Sequence, residues 1–139
     1  MFQKTKPHLL VVGGTGFIGY HLVSNAKKKG WKVTSLSLAH PKQDRHVGGV
    51  KYLMADITDL QKIKKKLNQP FTYVVNLGGY VNHSFSKEVR TKIFKTHFVG
   101  LINLTKIFSK KKIKKFIQIG SSAEYGLLEA PQREDLICL

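Results

Sequence analysis

The fold of this chain is decided by one stretch, His8-Leu9-Leu10-Val11-Val12-Gly13-Gly14-Thr15-Gly16-Phe17-Ile18-Gly19. An apolar run of strand length leads into glycines spaced three apart, and apolar residues at helical spacing follow. The pattern G-x-x-G-x-x-G is typical of the strand–turn–helix that holds the pyrophosphate of a dinucleotide. Gly13 permits the turn, Gly16 lets backbone N–H groups approach phosphate, and Gly19 lets the helix lie close to the strand.

Strand and helix patterns alternate along the rest of the chain, and their connections are short. The predicted strands are His8–Val12, Lys32–Leu38, Val50–Met54, Thr72–Leu77 and Lys115–Ile119. The predicted helices are Phe17–Lys29, a segment from a Thr58 or Asp59 cap to Leu67, and a long segment from Ser86 or Lys87 to Lys110, with Ala39–Gly49 as a polar loop. This alternation predicts an α/β fold, a Rossmann-like doubly wound parallel sheet of order 3-2-1-4-5 that ends after strand five.

Length and composition are those of one globular domain. The chain has 139 residues, of which 42% are hydrophobic, and no apolar run approaches the roughly 20 residues of a membrane span. The first residues, Met1–Lys4, lack the apolar segment of a signal peptide, and the lone cysteine, Cys138, cannot form an internal disulfide. These features predict a cytoplasmic location.

The charge is strongly positive, with 24 Lys and Arg against 8 Asp and Glu, for a formal net charge of +16. Lysines cluster at Lys27–Lys29, Lys62–Lys66 and Lys110–Lys115, mostly toward the ends of predicted helices, where they complement the helix dipole. Arginine, which makes bidentate contacts to bases and phosphates, is rare, and no nucleic-acid-binding motif accompanies the charge. We therefore expect solvated helix ends rather than a nucleic-acid partner, with non-specific polyanion binding as the alternative.

Four segments that follow predicted strands resemble the extended short-chain dehydrogenase/reductase family, in its NAD-dependent epimerase/dehydratase branch acting on nucleotide sugars. They are Gly13–Gly19, Met54–Asp59, Asn76–Gly79 and Gly120–Gly126, the last followed by Pro131 and Glu134. The resemblance covers nearly the whole chain. It implies that residues 1–139 form the NAD(P)-binding Rossmann domain of a hydride-transferring enzyme, with the C-terminal substrate part absent.

The resemblance also implies which residues contact the cofactor. Asp56 would accept from the adenine amino group, Ile57 would offer its backbone N–H, and the small residues after strand four would let the cofactor lie close to the backbone. The full predicted set is Gly13, Thr15, Gly16, Phe17, Ile18, Gly19, Ser37, Lys42, Arg45, Asp56, Ile57, Leu77, Gly78 and Gly79.

The end of the second predicted strand bears on the choice between NAD and NADP. An acidic residue commonly holds the ribose 2′-OH of NAD at this place, whereas this chain has Ser37, followed by Lys42 and Arg45. A missing carboxylate with nearby cations favours a 2′-phosphate, and therefore NADP. The alternative is that Lys42 and Arg45 are ordinary loop charges.

By the same resemblance, the catalytic residue is Ser122, whose hydroxyl would hydrogen-bond the reacting sugar oxygen. Tyr125 is expected to line the pocket, and Glu124 either assists proton transfer or holds the turn. The family's base lies in a Tyr-x-x-x-Lys pattern, and no tyrosine in this chain has lysine four positions on. The chain is therefore either part of an enzyme or a catalytically inactive NAD(P)-binding fragment or sensor.

Three further features bear on partners and metals. Where the family often has asparagine in the long helix, this chain has His97, so the role of that asparagine is not carried over. We expect no metal site, because His40, Asp44 and His46 lack the spacing of a complete ligand set, and we expect His83 to be a solvated loop residue. The apolar positions of the 86–110 helix predict either a homodimer through that helix or poor solubility, and the resemblance implies a nucleotide sugar as the substrate.

Overall fold

The computed structural model describes residues 5–82, 84–126 and 131–135. Its strands are β1 His8–Val12, β2 Lys32–Ser37, β3 Lys51–Met54, β4 Tyr73–Asn76 and β5 Lys115–Gln118. Its α-helices are α1 Phe17–Lys28, α2 Leu60–Lys66, α3 Lys87–Phe94 and α4 Gly100–Phe108, with a π-helical turn at Lys95–Val99 and 3₁₀ turns at Gln43–Arg45 and Ser122–Tyr125.

The five strands form one parallel sheet in the order β3-β2-β1-β4-β5, which confirms the predicted topology. The central strand fixes the register, since Val11 pairs with Ser35 of β2 on one side and Val75 of β4 on the other. Because every strand runs the same way, their carboxyl ends meet at one edge of the sheet. The connections that carry predicted site residues therefore meet at that edge.

Alternation along β1 divides the core between the two faces of the sheet. Leu10 and Val12 pack with α2 and α4 on one face, in a cluster that includes Ile63 and Leu104. Leu9 and Val11 face the other way, where the buried residues of α1 cover them. Both faces of β1 are buried, as its continuous apolar run predicts.

The predicted helix from 86 to 110 is interrupted and shorter than expected. Ser86 caps α3 by accepting from the Val89 N–H at 3.3 Å, but the π-helical turn separates α3 from α4, which ends at Phe108. One extra residue in a helical turn rotates the following side chains by about 100°. No residue of α3 is buried, whereas α4 buries five, including Gly100 and Asn103, against the sheet.

Several large apolar side chains are exposed on the part of the chain that the structure describes, and two groups of them lie on helices and strands beyond the glycine turn. One runs along α3, the π-helical turn and α4, where Phe94, Phe98 and Ile102 are 57%, 59% and 48% exposed. The rings of Phe94 and Phe98 stack with their centroids 5.1 Å apart. The other surface is the α1-side face of β5, where Ile117 is 45% exposed.

Among the helices within residues 5–82, 84–126 and 131–135, none is long and apolar enough to span a membrane.

Candidate functional site

A cleft of about 900 Å³ opens at the carboxyl edge of the sheet. The turns that follow β1 to β4 form its floor and sides, and α3 forms one wall. Nine of the predicted cofactor residues line it: Gly13, Thr15, Gly16, Ser37, Asp56, Ile57, Leu77, Gly78 and Gly79. Residues distant in sequence are thus brought together around one cavity large enough for an extended ligand.

The glycine turn after β1 packs backbone against backbone. Gly13 has φ of 80°, which favours glycine, and a Cβ there would lie 3.0 Å from the carbonyl carbon of Leu77. A Cβ on Gly19 would lie 2.6 Å from Gly14 Cα, so α1 approaches the turn more closely than any side chain allows. The roles predicted for Gly13 in the turn and Gly19 in close packing agree with these distances.

The amino end of α1 borders the cleft, because its N-cap residue Gly16 is part of the lining. Gly16 caps the helix without a side chain, so in the described part of the chain no capping group accepts from the first-turn N–H groups. The turn beneath is held by Thr15 N–H, which donates to Ser37 Oγ at 3.2 Å, and by Gly13 N–H, which donates to Leu36 O at 2.7 Å. Available amides at the positive end of a helix dipole suit a phosphate group.

The turn after β3 places Asp56 on the opposite side of the cleft. Asp56 Oδ1 accepts from both the N–H and the hydroxyl of Thr58, each at 2.8 Å. Asn103, a buried residue of α4, donates through Nδ2 to the carbonyls of Ile57 and Thr58, each at 3.0 Å. These bonds make Asn103 the support of the turn.

Sequence reasoning overlooked Asn103, although a signal for it exists. It is a polar residue between Ile102 and Leu104 in an apolar helix, and it falls on the buried face together with Gly100. A Cβ on Gly100 would lie 2.5 Å from Ile57 Cδ1, so the helix and the turn touch directly. An asparagine and a glycine buried on the same face of a helix indicate that the helix packs closely against another segment and donates hydrogen bonds to it.

The turn after β4 is braced by His97 from the π-helical turn. Tyr80 N–H donates to His97 Nε2 at 3.2 Å, and a Cβ on Gly79 would lie 2.8 Å from the Cε1 of the same imidazole. Asn76 Oδ1 accepts from Gly78 N–H at 3.0 Å and fixes the start of this turn. His97 therefore supports the backbone of this turn.

One wall of the cleft is basic, which the sequence analysis did not predict. Lys87, Lys92 and Lys95 line it from α3 and the adjoining turn, with Glu88 as the one carboxylate among the described residues of that wall. Lys92 Nζ lies 4.2 Å from the centroid of the Tyr80 ring. The backbone N–H of Glu88 and the Ser86 hydroxyl hold the pKa of Glu88 below its usual value. This wall adds positive charge beside the helix amides.

Five predicted cofactor residues lie outside the lining of the cleft: Phe17, Ile18, Gly19, Lys42 and Arg45. The side chains of Phe17 and Ile18 are 68% and 61% exposed and form no part of the lining. Arg45 Cζ lies 6.0 Å from the Phe17 ring centroid, at the outer side of the glycine turn. Lys42 and Arg45 are thus near the site without forming its walls.

The segment after β5 carries the predicted catalytic residues. Ser122 begins a 3₁₀ turn, and its side chain lies outside the described part of the structure. Glu124 Oε1 accepts from Ser121 N–H at 2.7 Å and lies against Gly120, which favours the turn-holding role for this carboxylate. Tyr125 is half-buried, and neither it nor Glu124 is among the described residues that line the cleft.

The remaining predicted features lie elsewhere or outside the description. Within the described residues, no three His, Cys, Asp or Glu side chains are grouped so that they could hold a metal ion. His83 and Cys138 are not among the residues that the structure describes.

Comparisons with known proteins agree with this architecture. The model of the NAD dependent epimerase/dehydratase family matches residues 9–137. The chain is 28% identical over 134 residues to UDP-N-acetyl-alpha-D-glucosaminuronate decarboxylase of Bacillus cytotoxicus, covering 94% of this chain and 41% of that protein. It is 26% identical over 131 residues to bifunctional UDP-glucose 4-epimerase and UDP-xylose 4-epimerase 1 of Pisum sativum, covering 85% and 37%.

Among solved structures, the UDP-glucose 4-epimerase of Thermus thermophilus in complex with NAD superposes with a TM-score of 0.77 at 26% identity, covering 91% of this chain and 42% of that one. The chain therefore spans about two fifths of the length of the relatives that it matches.

Proposed function

Because the chain belongs to the NAD dependent epimerase/dehydratase family, we propose that it binds NAD(P) in the cleft at the carboxyl edge of the sheet. It would serve as the cofactor-binding part of an enzyme acting on a nucleotide sugar, and we propose the cytoplasm as its compartment. The observation that carries this proposal is the glycine turn: Gly13 and Gly16 line the cleft at the uncapped amino end of α1, and no Cβ would fit at Gly13 or Gly19.

The residues of the cleft fit the parts of a dinucleotide. The first-turn amides of α1 would hold the pyrophosphate, and Gly16, which is exposed to the cleft, leaves room for close approach. Asp56 would accept from the adenine amino group through Oδ2, since Oδ1 is engaged by Thr58. Gly78 and Gly79 would let the nicotinamide end lie against the backbone after β4.

The proposed chemistry is reversible hydride transfer between the nicotinamide and a sugar carbon, which is what the bound cofactor supplies. Ser122 would hydrogen-bond the sugar oxygen and steady the charge that develops on it. Tyr125 would border the substrate side of the pocket. A base for the proton would have to come from outside this sequence, because no Tyr-x-x-x-Lys pattern occurs in it.

That missing pattern favours a second candidate, a catalytically inactive NAD(P)-binding fragment or sensor. Both candidates bind the cofactor, so binding does not separate them. Incubating the NAD⁺-loaded chain with a UDP-sugar does, because only the enzyme converts the sugar, and NMR of the sugar detects the change whether or not the hydride is returned. A converted sugar would exclude the sensor, and an unchanged sugar despite tight cofactor binding would exclude independent catalysis by this chain.

Calorimetric titration with NAD⁺ and NADP⁺ tests the binding proposal. We expect saturable one-to-one binding that Gly16→Val weakens at least about tenfold, because a Cβ there would lie 3.3 Å from Gly13 O and the valine methyls would occupy the cleft. Gly48→Val is the matched control, since a Cβ on Gly48 meets no atom within 4 Å. Equal affinity in the two variants, or no binding by the parent chain, would contradict the proposal.

We propose that NADP is preferred over NAD. The support is that β2 ends in Ser37 without a carboxylate, and that Arg45 lies near the amino end of α1. Ser37→Asp would place a carboxylate where it repels a 2′-phosphate and accepts from a 2′-OH, so we expect the ratio of the two affinities to shift toward NAD by about tenfold. An unchanged ratio would remove the basis for the preference.

We also propose that two copies pair through the apolar surface of Phe94, Phe98 and Ile102. These three side chains are about half exposed or more, and the rings of Phe94 and Phe98 stack on each other, so together they offer apolar surface to a partner. Light scattering during size-exclusion chromatography should give twice the chain's mass, and Phe98→Lys should return it to the monomer value. A monomeric parent chain would contradict this.

A further inference from the structure

The lysines that the sequence separates into clusters converge on one end of the molecule. Because α1, α2 and α4 run antiparallel to a parallel sheet, their carboxyl ends lie at the edge where the strands begin. The last turns and following residues of these helices carry Lys27–Lys29, Lys64–Lys66 and Lys110–Lys112. We call this surface, together with the lysines at the strand starts described below, the basic end.

The strand starts add further cations to the same edge. Lys32, Lys51 and Lys115 are the first residues of β2, β3 and β5. Their proximity is visible at buried His8, whose pKa is lowered first by burial and then by the charges of Lys32 and Lys51. The amino ends of strands and the carboxyl ends of helices therefore form one continuous cationic surface.

No carboxylate offsets this charge within the segments that form the basic end. Asp56, Asp59, Glu88 and Glu124 lie instead after strands or at the amino ends of helices, at the opposite edge. Within residues 5–82, 84–126 and 131–135 the ion pair found is Arg133–Asp135, which is remote from these lysines in sequence. The dipoles of three helices favour a few cations at their carboxyl ends. They do not explain why so many lysines are grouped there without an acidic partner.

The basic end contains a concave site with an aromatic wall. A cleft of about 510 Å³ is lined by Lys6, Lys29 and Lys114 around Trp31. Trp31 is half-buried and stacks on Tyr73, with ring centroids 5.3 Å apart, so its indole is held in place. Lysines that share a cleft with a fixed aromatic side chain suit a ligand that carries both phosphates and planar bases.

The geometry points to a single-stranded nucleic acid as the ligand of the basic end, bound through its phosphates without sequence selection. Lysines supply point charges for phosphate oxygens, and the bases would stack beside Trp31. An anionic membrane fits less well, because the exposed large apolar side chains of the described chain lie after strands, along α3 and α4, and on β5. None of them lies in the turns of the basic end to insert among lipids.

Trp31 makes the inference directly measurable, because it is the one tryptophan in the sequence. Titrating the chain with oligouridylate and oligothymidylate should quench its fluorescence. The logarithm of the affinity should fall with the logarithm of salt concentration with a slope of about −3 to −4, corresponding to about five phosphates. Because the cofactor cleft lies at the opposite edge of the sheet, saturating NAD⁺ should leave this binding unchanged.

Paired charge reversals separate a defined site from diffuse positive charge. Lys29→Glu with Lys114→Glu should weaken oligonucleotide binding at least about tenfold. Lys62→Glu with Arg90→Glu lowers the net charge equally at exposed positions away from the Trp31 cleft and should weaken binding less than about threefold. Thermal melting of each variant checks that the fold is retained.

Three outcomes would overturn the inference. They are equal weakening in the two variants, binding that leaves Trp31 fluorescence unchanged, and a fluorescence response to phosphatidylserine vesicles but not to oligonucleotides. The last would assign the surface to anionic lipid.

Discussion

Asn103 ties α4 to the turn after β3, and its replacement by alanine tests whether that tie positions Asp56. Its Nδ2 donates to the carbonyls of Ile57 and Thr58, each at 3.0 Å, and the residue is 6% exposed. Alanine removes both donors and leaves a small void beside two carbonyls that have lost their partner. The turn that carries Asp56 would then lose its connection to the helix.

The expected loss of stability follows from the two bonds. Each contributes about 0.5–1.5 kcal/mol net, and an unsatisfied buried carbonyl adds to the cost, so Asn103→Ala should lower the free energy of unfolding by about 2–3 kcal/mol. For a chain of this size that corresponds to a fall in Tm of about 10 °C. Loss of order around Asp56 should also weaken NAD⁺ binding about fivefold, if the carboxylate holds the adenine.

Thermal unfolding followed by circular dichroism, together with calorimetric titration of NAD⁺, measures both effects. Thr105→Ala is the control, because Thr105 is exposed on the same helix and its hydroxyl donates to Ile102 O within that helix. Asn103→Leu keeps the volume but lacks the donors, so it separates packing from hydrogen bonding. Equal melting temperatures for Asn103→Ala and Thr105→Ala would refute the expected loss of stability. A destabilised Asn103→Ala with unchanged affinity would refute the positioning of Asp56.

Three further substitutions test other parts of the structure. Gly19→Ala should destabilise the chain by at least about 3 kcal/mol in urea titration, because its Cβ would lie 2.6 Å from Gly14 Cα and backbone must move. Ser35→Ala should raise the free energy of unfolding by about 1 kcal/mol, since Ser35 Oγ is buried without a partner among the described groups; a lower Tm would contradict this. Burial and the charge of Lys32 lower the pKa of His8, so the unfolded chain binds its proton more readily and stability should fall as pH drops below about 6.5. His8→Gln should flatten the dependence of the free energy of unfolding on pH between about pH 8 and 5. An unchanged slope would mean that other groups cause the dependence.

The sheet could be predicted from sequence because its signals are local. The apolar run His8–Val12 ends at a glycine that must turn, and the structure gives β1 the same bounds. The other strands are one or two residues shorter than predicted. The prediction extended each strand over neighbouring residues of strand type that lie beyond the last pair of the ladder, as at Leu77. The order of the strands follows from the alternation of elements and the handedness of crossovers.

The supports of the cleft could not be predicted in the same way. Whether Asn103 meets Ile57 depends on the rotation of α4 about its axis, and the π-helical turn before it sets that rotation. The hydrophobic periodicity of a sequence does not reveal a single extra residue in a helical turn. The basic wall formed by the lysines of α3 was not predicted either, because it depends on α3 lying across the carboxyl edge of the sheet.

One helical segment supports the turns after both β3 and β4. His97, within the π-helical turn, braces the backbone after β4, whereas just beyond it Asn103 binds the backbone after β3 and Gly100 packs against the side chain of Ile57. At about 100° per residue, His97 and Asn103, six positions apart, lie on different sides of the helix, and the π-helical turn between α3 and α4 adds to the angle that regular spacing gives. His97 can therefore support the backbone after β4 while Asn103 supports the backbone after β3, so the two halves of the proposed cofactor site share a common support.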